Sequence, residues 1–238
     1  MSIADPHCHT VASDGMATPR ELIAAALSAA IDLIAVTDHD TMHNVQECVE
    51  RGGEAGLMVV PGQEVTTAWP AQTHLLAWFL ERPIKSGMSL LDTVRAVRDQ
   101  GGLVIIPHPF MPTYFASCQP GMLRRLIEVE AVDGIEIVHT APMGGPRQRR
   151  LEAFYAQHRQ RLGAAIGSSD SHFGGHDLGG ALTAFEGQTV AAFRAAVESG
   201  QTTAARGRPR QVPTALALRQ QGRSLVSLPL RRLLGQLP

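Results

Sequence analysis

Two histidines one residue apart, His7 and His9, stand near the start of the chain, with Asp5 just before them and Asp14 just beyond. On a strand, side chains alternate between faces, so both imidazoles point one way and Cys8 points the other. Two imidazoles on one face suit a divalent metal. The same spacing also describes a pair of surface histidines at a strand end, and the dipeptide alone does not separate the two. Residues of the same chemistry recur along the chain: "TDHD" with Asp38, His39 and Asp40, "PGQE" with Glu64, then His74, "PHP" with His108, and "GSSDSH" with Asp170 and His172. Imidazole and carboxylate donors without a cysteine favour Mn²⁺, Zn²⁺ or Fe²⁺ over a soft thiolate site.

These residues need a scaffold that gathers them. Short apolar runs alternate with longer segments of helical period, the pattern of parallel strands joined by crossover helices. The pattern predicts strands at Ile3–Ala4, Leu33–Thr37, Leu57–Val60, His74–Phe79, Leu103–Ile106, Gly134–Val138 and Ala164–Ile166. It predicts helices at Thr18–Ala30, with Thr18 as cap and Pro19 in the first turn, and at 43–55, Leu90–Gln100, Gly121–Glu130, 146–161 and Val190–Ser199. His74 falls on a strand and the other candidates follow one. In a parallel barrel the strand ends open at a single face, so these residues converge although most of the chain separates them.

In this order, "DPHCHT", "SDG", "TDHD", "PGQE", "THLL", "IPHPF" and "GSSDSH" resemble the motifs of the PHP family, named for polymerase and histidinol phosphatase domains, from about Ile3 to about Gly200. The resemblance implies an α/β fold, a distorted seven-stranded (β/α) barrel, and a metal-dependent phosphoric ester hydrolase. It implies His7, His9 and Asp170 around a first ion, Glu64 bridging to a second ion held by His74 and His108, and Asp14, His39 and His172 around a third. Two or three divalent ions are expected. Six neutral histidines and three carboxylates would leave three such ions a surplus of about +3, or about +2 with a bridging hydroxide, and that surplus attracts an anion. The implied reaction is attack of the metal-bridging hydroxide on a phosphate ester, since clustered metals both generate the nucleophile and stabilise the attacking and leaving oxygens. Glu64 and Asp170 are expected to matter most to rate, Asp170 also accepting a proton from entering water. Nucleotide-acting relatives carry a large insertion between the glutamate and the Pro-His-Pro strand. Only 43 residues lie between Glu64 and His108 here, so the chain resembles the compact members.

Composition bounds the rest. A chain of 238 residues, 44% hydrophobic, is long enough for one well-buried core, and an aromatic content of 5% suits close helix-to-sheet packing better than a large β-sandwich. Cys8, Cys48 and Cys118 form no paired framework and read as reduced thiols. No apolar run reaches transmembrane length, and a cleaved leader would remove the first candidate ligands, so the expected location is the cytoplasm. Charge is uneven. Residues 199–238 hold seven arginines and no acidic residue, whereas the rest holds 14 basic against 22 acidic residues. The expected organisation is a catalytic domain over 1–205 and a basic tail over 206–238. For that tail, docking or solvation is favoured over contact with nucleic acid.

Other residues carry weaker signals. His176, in the glycine-rich "HFGGHDLGG", is expected to contact substrate in catalysis. Glu136, in "GIEIVH" with His139, is expected to orient a ligand imidazole, as are Asp38 and Asp40. Arg20, Arg147, Arg149 and Arg150 are phosphate candidates, although arginines on helices more often face solvent. His158 reads as solvated, Cys8 as packing beneath the site, and Met111, Trp69 and Trp78 as core or wall. The expected substrate is a phosphorylated small molecule or nucleotide. The alternatives are a 3′–5′ exonuclease or phosphodiesterase that uses the tail to hold a strand, and a catalytically silent interaction module of the same fold. The complete ligand set argues against the second of these.

Overall fold

Local chemistry starts the helices. Thr18 caps the first one reciprocally with Glu21, and Pro19 occupies its first turn, where a missing N–H costs nothing. The computed structural model describes residues 1–113, 115–141, 143–209 and 211–227. Its elements run β1 (Ser2–Cys8), α1 (Pro19–Ser28), β2 (Leu33–Val36), α2 (Val45–Ala55), β3 (Met58–Thr66), β4 (His74–Trp78), α3 (Leu90–Arg98), β5 (Leu103–Ile106), α4 (Pro120–Val129), β6 (Gly134–His139), α5 (Gly145–Leu162), β7 (Ala164–Ser168), β8 (Ala181–Phe185), α6 (Val190–Glu198), β9 (Thr202–Arg206) and α7 (Thr214–Gly222).

Among the described residues the sheet order is β7-β6-β5-β4-β3-β2-β1-β8-β9, nine strands where seven were expected. It curls toward closure. Thr183 of β8 exchanges side-chain hydrogen bonds with the backbone of Gly167 on β7, Thr202 of β9 donates to Ala165 O, and Cys8 and Ser171 form a lone bridge. The α/β barrel class is therefore as read, with two strands more and a mixed sheet. β3 pairs antiparallel with β4 because the link 67–73 is too short for a parallel crossover, and β4, so reversed, also pairs antiparallel with β5. β8 and β9 are likewise antiparallel additions beside β1.

Alternation along the strands builds the layers. Ala4, Leu33, Ala35, Val60, Leu76, Trp78, Ile105 and Ile166 share one interior cluster, to which α6 adds Phe193. Cys8 packs on the other side of the sheet with Leu22 and Ile23 of α1, as its alternation from His7 and His9 requires. The two tryptophans differ. Trp78 is buried, whereas Trp69 is 79% exposed on the link between β3 and β4 and is not core. His158 also departs from the expected solvated position. It is half-buried against the Phe154 ring at 4.5 Å, and its φ of −118° interrupts α5.

β9 extends the sheet to Arg206, and α7 follows it. Of the expected tail 206–238, Arg210 and the residues from Leu228 onward lie outside the described residues. Among those described, no helix is long and apolar enough to cross a membrane.

Candidate metal centre

All nine candidate ligands converge, and the topology explains how. His7 and His9 end and follow β1, while His39, His108 and Asp170 follow β2, β5 and β7. Glu64 lies within β3 rather than after it. His74 opens β4, which runs antiparallel, so pairing of Thr66 with His74 returns it to the same end of the barrel.

Glu64 is at the middle of the cluster. Its Oε2 is 3.2 Å from both His7 Nε2 and His9 Nε2 and 3.2 Å from His39 Nδ1. Its Oε1 is 2.8 Å from His74 Nδ1 and 3.0 Å from His108 Nε2. Asp170 Oδ1 lies 3.2 Å from Nε2 of both His7 and His9. A third group forms around Asp14 Oδ1, with His172 Nε2 at 3.2 Å, His39 Nε2 at 3.7 Å and His9 Nδ1 at 4.0 Å. His9 and His39 thus each face two groups, one through each ring nitrogen.

Among the described residues, three sets have donor atoms close enough to share an ion: His7, His9, Glu64 and Asp170; His9, Asp14, His39 and His172; and His39, Glu64 and His74. The donor set fits divalent cations. Asp14 Oδ1, Asp170 Oδ1 and His39 Nδ1 are buried with no hydrogen-bond partner among the described residues, an arrangement that is costly without a positive charge to meet the lone pairs. Burial would raise the carboxyl pKa of Glu64, but His39, His74 and His7 hold it well below the usual range. For Asp170 the same contest is won by His7 and His172. Burial acts oppositely on the imidazoles and pulls His39 down to about 3, whereas Asp14 and Asp170 outweigh it at His172 and push that ring up to about 10.

The supporting contacts are as ordered as the ligands. Glu136 takes the Nδ1 side of His7 at 2.8 Å, accepts from His108 N at 2.6 Å and accepts from Ser168, so its expected orienting role fits the geometry. Asp38 instead organises the loop that carries Asp14, accepting from Thr10 N, Thr10 Oγ1, Ser13 N and Ser13 Oγ. Asp40 accepts from Thr66 N at 2.7 Å. Asp5 and Asp177, assigned no role from the sequence, fix the loop after β7. Asp5 accepts from Ser169 N and Gly179 N, and Asp177 from His172 N and Phe173 N. Two candidate ligands have left-handed backbone, His108 at φ 28° and Asp170 at φ 53°. Such conformations cost about 1–3 kcal/mol each and persist only where surrounding contacts hold them, as these networks do.

The outlying candidates separate from the cluster. His176 is exposed and lines a cavity of about 570 Å³ with Ser28, Arg208 and Gln211, a cavity that none of the nine ligand candidates lines. His139 is buried with both ring nitrogens unpartnered, and burial pulls its pKa down to about 4. Arg20, Arg149 and Arg150 are exposed on helices. Arg147, also exposed, donates to Phe110 O beside the His108 loop. Sequence reading missed Gln220 and Arg223, which reach the Asp14 loop from α7 and just beyond it.

Comparison with known proteins agrees with this geometry. The profile of the PHP domain matches residues 5–199. The chain is 26% identical over 208 residues to a 3′,5′-nucleoside bisphosphate phosphatase of Chromobacterium violaceum, covering 76% of this chain and 70% of that protein. It is 29% identical over 102 residues to a 5′-3′ exoribonuclease of Haemophilus influenzae, covering 42% of this chain and only 37% of that protein. Among solved structures, a two-domain protein from Bacteroides vulgatus, described as containing a "predicted PHP-like metal-dependent phosphoesterase", superposes with a TM-score of 0.72 at 20% identity, covering 93% of this chain and 69% of that one. An amidohydrolase from Chromobacterium violaceum with bound sulfate gives a TM-score of 0.62 at 18% identity, covering 85% and 97%.

Proposed function

From the premise that the chain belongs to the PHP domain family, we propose that it is a metal-dependent phosphoesterase holding three divalent ions, of the Mn²⁺, Zn²⁺ or Fe²⁺ class, and acting on a small or nucleotide-like phosphate ester. The observation that carries this reading is Glu64. One of its oxygens faces His7 and His9, the other faces His74 and His108, and a carboxylate so placed is suited to join two cations. Divalent ions in such a site supply Lewis acidity, lowering the pKa of water and neutralising phosphoryl oxygens. His7, His9, Glu64 and Asp170 would hold the first, Glu64, His74 and His108 with the nearby His39 the second, and Asp14, His39, His9 and His172 the third. The donor set leaves the cleft a positive surplus suited to an anionic substrate.

Asp170 would handle the proton. Its side chain is 21% exposed against 1% for Glu64 and 7% for Asp14, so it is the ligand carboxylate most open to entering water. His7 and His172 hold it ionised, the form in which it can accept a proton. His176, lining a separate cavity, is proposed as a substrate contact only for a substrate long enough to extend over α1.

The test is a screen of metal-reconstituted protein against simple phosphomonoesters, nucleoside 3′,5′-bisphosphates and 5′-phosphorylated oligoribonucleotides, reading free phosphate and released mononucleotides. Phosphate release from the small esters is expected. No turnover of any of them by protein with full metal content overturns the reading. A second reading, a nuclease, is favoured by the exoribonuclease relatives together with the arginines of the tail. Those relatives are named 5′-3′ exoribonucleases, whereas the alternative read from the sequence is 3′–5′, so the oligoribonucleotide in the screen carries a 5′ phosphate. Mononucleotide release from the oligoribonucleotide alone would establish it.

A further inference from the structure

We infer that the C-terminal segment completes the metal centre, with Gln220 positioning Asp14 for the cation shared with His9, His39 and His172, and Arg223 clamping the loop that carries Asp14. The inference rests on the three-ion reading above and extends it to residues outside the stretch 5–199 that the family profile covers. Gln220 Nε2 donates to Asp14 Oδ2 at 3.1 Å. That bond engages one carboxylate oxygen and leaves Oδ1, which has no hydrogen-bond partner, facing His172 and His39. Arg223 donates through Nε to Ser13 O at 3.0 Å and through Nη2 to Val11 O at 2.5 Å. The same loop is gripped by Asp38 through Thr10 and Ser13. It is therefore held by the barrel on one side and by the tail on the other.

Two features argue for a role at the site rather than a contact of packing. α7 fully buries none of its residues, Leu216 and Ala217 are half-buried, and Leu218 and Leu225 are 64% and 76% exposed, so apolar burial holds this segment only weakly. The donor aimed at Asp14 is also a neutral amide. An arginine or lysine there would orient the carboxylate equally well but would offset its charge and weaken its hold on a cation. An amide orients without neutralising. Arg223, the charged member of the pair, is spent on backbone carbonyls.

The test uses the full-length chain, stripped of metal and titrated with Mn²⁺ by calorimetry, with elemental analysis of the loaded protein and melting of the metal-free form. Wild type is expected to take three ions. Gln220→Ala is expected to keep two with unchanged affinity and to bind the third about 10–100-fold more weakly, the range seen when a partner of a metal ligand is removed. Gln220→Lys, which keeps a donor but adds charge, should weaken the same ion, and Arg223→Ala should do so with the loop freed. The metal-free melting temperature of Gln220→Ala should match wild type, which a merely structural role would not predict. Three unchanged affinities in Gln220→Ala and Arg223→Ala overturn this inference alone. A wild-type protein that takes up no third ion overturns the three-ion reading and this inference with it.

Discussion

Glu136 holds His7 by its Nδ1 side at 2.8 Å, which turns Nε2 of the same ring toward Glu64, His9 and Asp170. A buried carboxylate in this place sets both the tautomer and the direction of the imidazole lone pair. Glu136 also receives the N–H of His108, so one side chain fixes a residue near the end of β1 and another in the loop after β5.

Glu136→Gln is therefore expected to damage metal binding without touching a metal. The amide turns a donor toward one of the donors now facing the carboxylate and removes the charge that stabilises His7. A loss of about 10–100-fold in affinity for the first ion is expected, by calorimetric titration with Mn²⁺. Wild-type affinity would show that His7 is oriented by its strand alone.

Glu64→Gln and Asp170→Asn should fail in different ways. Glu64 faces four imidazoles other than His39, so removing its charge is expected to release at least one ion, read as metal content. Asp170→Asn should retain metal through His7, His9 and Glu64 and lower kcat by about 10²–10⁴-fold, the usual contribution of a group that moves a proton. His43→Ala, at an exposed position, serves as the unaffected comparison. Near-normal kcat in both acid variants at full metal content would remove these carboxylates from the chemistry.

The candidate ligands are legible because their signal is one of type: imidazoles and carboxylates placed after apolar runs mark themselves. The strands that carry no such mark are not. β9 is "TTAAR", half exposed and nearly free of large apolar side chains, and β8 is a short alternating run after a glycine-rich loop. Direction was also hidden. His74 was read on a parallel strand, and only the pairing of Thr66 with His74 shows that an antiparallel strand brings it to the site. Gln220 could not be singled out, since a glutamine on a polar helix has no distinguishing type and its contact spans 206 positions. Trp69 and Trp78 share a residue type, and packing alone separates the exposed one from the buried one.

Metal uptake should depend steeply on pH. Burial lowers the imidazoles, but surrounding carboxylates outweigh it at His7, His9 and His108, which are held above the ordinary value, and at His172, raised to about 10. A metal needs these rings neutral, so it must displace their protons. Glu64, Asp170 and Asp14 lie below the usual carboxylate range and are already ionised. Affinity should thus fall as pH drops and rise between about pH 6.5, the ordinary histidine value, and the raised values of the folded site. Mn²⁺ titrations at several pH values in two buffers of different ionisation enthalpy should show proton release at pH 7. An affinity independent of pH would contradict it.

The glycine of "SDG" gives a prediction about fold and site together. A Cβ on Gly15 would come within 2.6 Å of the carbonyl carbon and oxygen of His9 and 2.7 Å of Thr10 O, all backbone atoms that cannot swing away. Gly15→Ala must therefore push apart the loop that presents Asp14 and the residue that presents His9. A destabilisation of about 1–3 kcal/mol is expected, as for other overpacked sites, together with weaker uptake of the third ion. Gly53 is the contrast. It lies in α2 with open space at its Cβ position, so Gly53→Ala should stabilise the protein by about 0.5–1 kcal/mol through helix propensity, leaving metal binding unchanged. Denaturant unfolding of the metal-free variants, followed by Mn²⁺ titration, measures both. Opposite signs of the two stability changes, with only Gly15→Ala losing metal, are expected. Equal stability and full metal uptake in Gly15→Ala would mean that the loop can move without moving Asp14, and that the close approach at Gly15 has no part in shaping the site.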